Sequence, residues 1–431
     1  MKNYNENKNV YEAANERIDF VFKNFDRIYM SFSGGKDSGV MLNLVVEYMR
    51  KNNITDKIGL MILDNEANYE YSLQFMHKII KENIDLLDVY WCCLPITLPC
   101  TVSSYEIDWQ CWGVHDEQRW IRPMPKEDYV VNINNHDFDF FIENMSYDEF
   151  WDKFGEWYAD NKKCANFIGI RTDESLNRYR AIMNENKKMI NNLYWTKKNT
   201  KNTYNVYPIY DWRTEDIWIA NAKFEWVYNE LYDIFWKAGL TVAQMRVASP
   251  FMSESKSSLN LYRVIDGHVW SRLCARVSGA NFIATYGKQL TYRTFTLPNR
   301  HTWKSFTKFL LETLPKESGV NFKNRFIQSL KYWWRIGRGL PEDVIQDLRN
   351  NNIDFKLGEK TRHGRKDKTC VRMLPPDHLD MLRCNNSDVT SWKRFVITIL
   401  KNDHTCKYLG LAPTHEQAKR QREIQLKYKN V

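Results

Sequence analysis

The sequence predicts an α/β protein: a doubly wound, mostly parallel sheet in the first half, then a mainly helical region. Three observations carry this. Short apolar runs alternate with helical patterns in β-α-β-α-β order between residues 28 and 94, the order that gives a parallel sheet with crossover helices. The runs Ile28–Phe32 and Lys57–Asp64 are nearly continuous in apolar residues, as strands covered on both faces are. Beyond about residue 226 the alternation fades and helical spacing dominates.

Element by element, residues 11–25 place Ala14, Ile18, Val21, Phe22 and Phe25 on one side of a helix. Strand Ile28–Phe32 follows, then a glycine turn, then a helix carrying Val40, Leu42, Leu44, Val45 and Met49. Lys57–Asp64 is the second strand, Tyr69–Lys81 a helix and Leu86–Leu94 the third strand. Residues 95–150, with Pro95, Pro99, Pro123 and Pro125 among many aromatics, interrupt the rhythm and read as an insertion at the sheet's carboxyl edge, where ligands bind in open α/β folds, or equally as a packed ornament. A helix near Tyr147–Asn161 returns the chain to strand Ala165–Ile170. Asn184–Asn205 is polar and reads as an exposed excursion, Tyr204–Ile209 as the last strand, and Thr214 as the cap of a following helix. This gives two domains, 1–225 and 226–431. The second has helical patterns at Glu225–Trp236, Trp303–Leu314, Asn324–Ile336 and Pro341–Leu348, a basic loop over Lys356–Arg372, and a charged helix over Thr414–Val431.

The most informative stretch is Ser33-Gly34-Gly35-Lys36-Asp37-Ser38, between the first strand and its helix. Two glycines bring backbone N–H groups close to an anion. Ser33 and Ser38 add hydroxyls, Lys36 adds charge, and the helix start adds unpaired amides and a positive dipole end. The spacing is neither the Walker A loop nor the dinucleotide fingerprint. A glycine turn before a buried helix is the bland alternative, and the strand-turn-helix setting argues against it.

Three further segments accompany this loop. Asp64 and Glu66 end the second strand, where carboxylates can bind ribose, an adenine amine or Mg²⁺, or can simply cap a helix. Gly169-Ile170-Arg171-Thr172-Asp173-Glu174-Ser175-Leu176-Asn177-Arg178 sets two guanidinium groups near a turn, suited to phosphate or sulfate. The alternative for Arg178 is a helical i, i+4 pair with Glu174. Tyr207-Pro208-Ile209-Tyr210-Asp211-Trp212-Arg213-Thr214-Glu215-Asp216-Ile217-Trp218 has an architectural look, with Trp212 packing the turn.

Taken in order, these four segments resemble the phosphoadenosine phosphosulfate (PAPS) reductase family and its cousin, the ATP sulfurylase small subunit. The loop itself resembles the PP-loop of the ATP pyrophosphatases. The resemblance covers about residues 15–225 and implies an adenine nucleotide alpha hydrolase-like fold. It implies that Ser33, Gly34, Gly35, Lys36, Asp37 and Ser38 cradle phosphate, that Asp64 and Glu66 flank the nucleoside, and that Arg171 and Arg178 face the phosphate or sulfate end. Lys36, Asp37 and Arg171 become the candidate catalytic residues, with Asp37 a magnesium ligand. The implied ligand is ATP with Mg²⁺, cleaved between the α- and β-phosphates, with PAPS as the alternative. Arg213 stands where the family's last motif has Ser or Thr. The reductases' E-C-G-[LI]-H tail, whose cysteine attacks sulfur, has no counterpart, and Cys406 has the wrong neighbours. Residues Trp270–Asn281 and Ser391–Asp403 resemble an IbrA-type branch, often encoded beside a ParB/sulfiredoxin-like partner. The DNA phosphorothioation sulfur-transfer proteins are a third relative sharing the PP-loop. A reductase or sulfotransferase, and a non-catalytic nucleotide sensor, are therefore weighed beside the pyrophosphatase reading.

Composition bounds these readings. Aromatics at 14% argue against disorder, and a net charge of +9 favours an anionic partner: nucleotide first, DNA or RNA second. Lys360, Arg362, Arg365, Lys366 and Lys368 are the nucleic-acid candidates, and Arg335 and Arg338 stand beside Trp333 and Trp334. A solvated loop and a buried aromatic cluster are the plainer readings. The nine cysteines form no C-x-x-C, so neither zinc nor an iron–sulfur cluster is expected. The N-terminus lacks an apolar signal core and no run approaches a membrane span, so the expected location is cytoplasmic, with thiols reduced.

Overall fold

The computed structural model describes residues 8–184, 188–247, 249–252, 259–286, 295–363, 366–379 and 389–411. The chain forms two compact units. The first takes Met1–Leu98, Gln110–Pro250 and Ser258–Arg276, and the second takes Pro99–Trp109, Phe251–Ser257 and Val277–Val431.

The first unit is built on a seven-stranded sheet: β1 (Arg27–Ser31), β2 (Ile58–Leu63), β3 (Leu87–Cys93), β4 (Val130–Asn132), β5 (Cys164–Ile168), β6 (Thr196–Lys198) and β7 (Thr203–Val206). Its order is β4-β3-β2-β1-β5-β7-β6. Every neighbouring pair is parallel except β6 with β7. The expected doubly wound α/β fold is therefore present. From β1 the chain steps outward through β2, β3 and β4, then crosses to β5 on β1's other side. That reversal opens a crevice at the carboxyl end of β1, where ligands bind in open α/β sheets.

Helix α1 (Val10–Asn24) opens with a reciprocal cap between Asn9 and Glu12 and buries Ala14, Ile18 and Val21. Helix α2 (Lys36–Lys51) is buried along most of its length, with Val40, Met41, Leu42, Leu44, Val45 and Met49 inside. Helices α3 (Glu70–Asn83), α4 (Tyr147–Ala159), α5 (Leu176–Ile182), α6 (Thr214–Lys223), α7 (Leu231–Lys237), α8 (Leu261–Ile265) and α9 (Gly267–Arg276) complete the unit. The motif around Trp212 holds α1: Arg17 grips Asp211 with two hydrogen bonds of 2.8 and 2.7 Å, and Trp212 Nε1 donates to Val10 O at 3.1 Å.

Local expectations need four corrections. The 95–150 stretch contributes β4, an edge strand paired with β3. The polar 184–205 excursion contains β6, in which Thr196 and Lys197 are buried. Lys197 tolerates this because its stem is covered while its ammonium reaches Asn184 O at 2.8 Å. The residue capping α6 is Arg213, whose N–H donates to Asp216 Oδ2 at 2.7 Å, so Thr214 is the first helical residue. The helix expected from Glu225 starts at Leu231, since Glu225 has φ +54°.

The second unit contains α10 (Ala280–Tyr286), α11 (Trp303–Thr313), α12 (Lys316–Lys331), α13 (Glu342–Asn350) and α14 (Trp392–Leu400). It also holds a small antiparallel sheet of β8 (Arg338–Leu340), β9 (Lys356–His363) and β10 (Lys366–Arg372), in the order β8-β10-β9. The expected basic loop is thus a hairpin. Val371, fully buried between exposed Arg372 and half-buried Cys370, ties it to the core. One core joins Leu340, Ile345, Leu348, Val371 and Met373, and another stacks Phe326 on Phe395 at 4.4 Å. The charged C-terminal helix expected over 414–431 lies outside the described residues.

Candidate functional site

The site starts where β1 ends. Between Ser31 and Lys36 the chain turns through Gly34, at φ +69°, a region that favours glycine. A Cβ at Gly34 would also lie 2.9 Å from Met76 Sδ. Gly35 is the N-cap of α2, so the first amides of that helix, which lack intrahelical partners, open beside the two glycines. Ser33 Oγ and Ser38 Oγ lie 3.0 Å apart, and Ser38 Oγ donates to Gly35 O at 3.0 Å.

Distant residues hold this loop. Asn229, fully buried, donates through Nδ2 to Gly34 O at 2.8 Å and to Ser72 Oγ at 2.9 Å. Tyr232 on α7 accepts the Lys36 N–H at 3.0 Å. Burial, with the Asp37 charge nearby, pushes the Tyr232 phenol well above its usual range, so it stays neutral. At the end of β5, a Cβ on Gly169 would meet Asp37 O at 2.7 Å, so only glycine lets that strand end lie against the first turn of α2.

The charged centre is a triad. Lys36 Nζ lies 2.7 Å from Asp37 Oδ2, and Arg171 Nε lies 2.5 Å from Asp37 Oδ1. Arg171 also donates to Trp212 O at 3.4 Å and is 1% exposed. Two cations and one carboxylate leave one net positive charge at a helix N-terminus, largely removed from water, where it acts strongly. An anion is the natural complement.

The loop, Lys36, Asp37 and Arg171 are thus brought together. Arg178 is not part of that cluster: it lies half exposed on α5, 3.7 Å from Glu174, the i, i+4 pair weighed above. Asp64 and Glu66 are fully buried and have partners of their own. Asp64 accepts from Trp91 Nε1 at 2.7 Å, from the Glu66 N–H at 2.8 Å and from Arg122 Nη2. Glu66, at φ +68°, accepts the Trp112 N–H at 2.6 Å and the Ile121 N–H at 2.7 Å. Arg276 Nε lies 3.7 Å from Glu66 and Arg276 Nη1 lies 3.1 Å from Asp116. Burial raises the Glu66 carboxyl, opposed by those amides and by Arg276.

For magnesium, both Asp37 oxygens already face a cation, with which a divalent ion there would compete. Among the described residues no group of three His, Cys, Asp or Glu side chains could hold a metal. Likewise no described helix is long and apolar enough to cross a membrane. Sequence reasoning missed Asn229, Tyr232, Arg122 and Arg276 as supports. Arg276 lies within the Trp270–Asn281 segment singled out by resemblance, while the others carried no local signal. In the second unit Lys368 is half-buried; the side chains of Lys360, Arg362 and Lys366, and Arg365 as a whole, lie outside the described residues.

A family model for the phosphoadenosine phosphosulfate reductase domain matches residues 27–236. A domain of unknown function, DUF3440, matches residues 239–420. The Escherichia coli (strain K12) protein YbdN, described as uncharacterized, is 30% identical over 413 residues, spanning 94% of this chain and 91% of that protein. Among solved structures, the chain is similar to PAPS reductase from Candida auris in a phosphate complex (12% identity, 51% of this chain, 84% of that chain, TM-score 0.27). It is also similar to Candida glabrata FMN adenylyltransferase in complex with ATP (15% identity, 52% and 57%, TM-score 0.32). The U34-tRNA thiolase NcsA from Methanococcus maripaludis gives 14% identity, 68% and 81%, and TM-score 0.30. At such TM-scores the likeness is slight.

Proposed function

This chain belongs to the phosphoadenosine phosphosulfate reductase family, in a form that continues into DUF3440, and on that premise we propose that its PP-loop domain cleaves ATP between the α- and β-phosphates. The observation that carries the proposal is the triad of Lys36, Asp37 and Arg171, with its residual positive charge beside the glycine turn and the start of α2. The β- and γ-phosphates occupy the loop amides, with Lys36 and Arg171 countering the charge that grows on the leaving group. A substrate oxygen attacks the α-phosphorus, the bond to the bridging oxygen of the β-phosphate breaks, and pyrophosphate departs with that electron pair. The acceptor keeps the adenylyl group; with water it becomes AMP. Asp37 holds both cations in place. Asp64 and Glu66 act through the 112–122 segment that they anchor.

The test is product analysis after incubation with ATP and Mg²⁺, beside a Lys36→Ala variant. AMP and pyrophosphate are expected from the wild type and at least a hundredfold less, on the order of one lost transition-state contact, from the variant. Binding of PAPS in preference to ATP, without pyrophosphate release, would instead favour phosphosulfate chemistry. A sensor role has one observation behind it: Tyr232 already takes the Lys36 N–H that a phosphate oxygen would accept. Tight ATP binding with no turnover under any condition would select that reading.

A further inference from the structure

Residues Tyr332–Ile336 form a single π-helical turn at the end of α12. Such turns are rare and recur at functional sites. This one closes at Gly337, φ +81°, where a Cβ would stand 2.6 Å from Val371 O. The turn sends two adjacent tryptophans opposite ways. Trp333 is buried in the core with Leu340 and Val371, while Trp334 is 52% exposed. Lys356, at the start of β9, sets its ammonium 5.8 Å from the centre of the Trp334 ring.

The hairpin adds charge at the same place. Lys356 and Arg372 stand directly opposite each other across β9 and β10, and both are exposed. Like charges in such a pair destabilise a sheet unless an anion lies between or above them. Arg372 Nε donates to Ile336 O at 3.4 Å, which ties it to the π-turn, and Arg335 on that turn is exposed. An exposed indole with a cation against its ring, beside further basic groups, is the chemistry that single-stranded nucleic acid requires: a π-face for an unpaired base and cations for its phosphates. An acidic peptide would use the charges but leave the ring without a role.

We propose that the surface formed by Trp334, Arg335, Lys356 and Arg372 binds single-stranded nucleic acid, stacking a base on Trp334 with phosphates at the three cations. This places the contact at the open end of the hairpin rather than at the basic tip singled out from sequence. The proposal does not depend on the reading of the first unit, so Lys36→Ala should leave it intact.

The probe is a labelled oligothymidylate of about 15 nucleotides, titrated with the full chain and followed by fluorescence anisotropy. The logarithm of the binding constant should fall with the logarithm of salt with a slope of about −2, as for three phosphates on a single strand. Lys356→Gln and Arg372→Gln should each reduce that slope by about 0.7. Trp334→Ala should weaken binding about tenfold or more with the slope unchanged, and Trp334→Phe should keep most of the affinity. Trp334 is half exposed, so an unchanged melting temperature checks that the variant is folded. Absence of binding at low salt, a Trp334→Ala protein that binds as well as wild type, stronger binding to duplex than to single strand, or equal competition by polyglutamate would each overturn the proposal.

Discussion

Arg171 meets Asp37 from 134 positions away, and this contact decides how the phosphate loop is charged. A guanidinium that is 1% exposed must be matched, and Asp37 matches it. Arg171→Leu therefore does more than remove a phosphate contact. It leaves a buried carboxylate with Lys36 alone, and the loss expected on breaking such a pair is about 3–5 kcal/mol, measured by urea denaturation. Arg171→Lys should recover part of the stability, since the charge survives and the fork does not. The residue's importance was legible in the sequence, because an arginine two positions past a strand-ending glycine sits at a mouth by topology. Its partner was not, since nothing local to Asp37 names Arg171.

Among the elements, the turn after β2 shows how local motifs acquire distant work. Asp64 and Glu66 are adjacent to a strand end, so they read as ligands. The structure gives them partners 46 to 58 residues on: Trp112, Ile121 and Arg122. Such pairings leave no periodic trace. Glu66 supplies a pH test with a definite sign. Its folded pKa is raised, so the folded state holds the proton more tightly than the unfolded chain does. The stability this group contributes is complete below its unfolded value of about 4.3 and is lost as pH rises through the raised folded value. Urea midpoints taken across that window should show this falling component in the wild type and not in Glu66→Gln. The variant should also be weaker overall by about 1–3 kcal/mol, because its amide nitrogen would face a backbone N–H. Strands β1, β2 and β3 were readable from their apolar runs. The edge strand β6 was not, because Thr196 and Lys197 are polar residues buried with partners, and the β9–β10 hairpin was hidden by its lysines.

At the scale of the molecule, a ligand that binds the native state alone must raise stability by mass action. ATP at a hundred times its dissociation constant should add about 2.7 kcal/mol to the unfolding of the unit that binds it. Differential scanning calorimetry should show this shift in the wild-type chain and lose it in Lys36→Ala; a shift of equal size in both proteins would place the nucleotide elsewhere. With two compact units, unfolding need not be one transition, and only the first unit's should respond.

The interleaving of the two units sets a timetable. Residues 99–109 belong to the second unit, yet the ribosome makes them early. Ser103 O meets His404 Nε2 at 3.0 Å across 301 positions, and Ser104 O accepts from Ser318 Oγ at 2.6 Å. At about 5–20 residues per second, the early segment waits roughly 15–60 s for His404 to be synthesised. Leu98 and Gln110 bracket it within the first unit, so during that interval it is a loop of a nascent domain, carrying Cys100, Val102 and Trp109, which the finished fold buries. A stop codon before Ser318 would leave the segment without either of these companions.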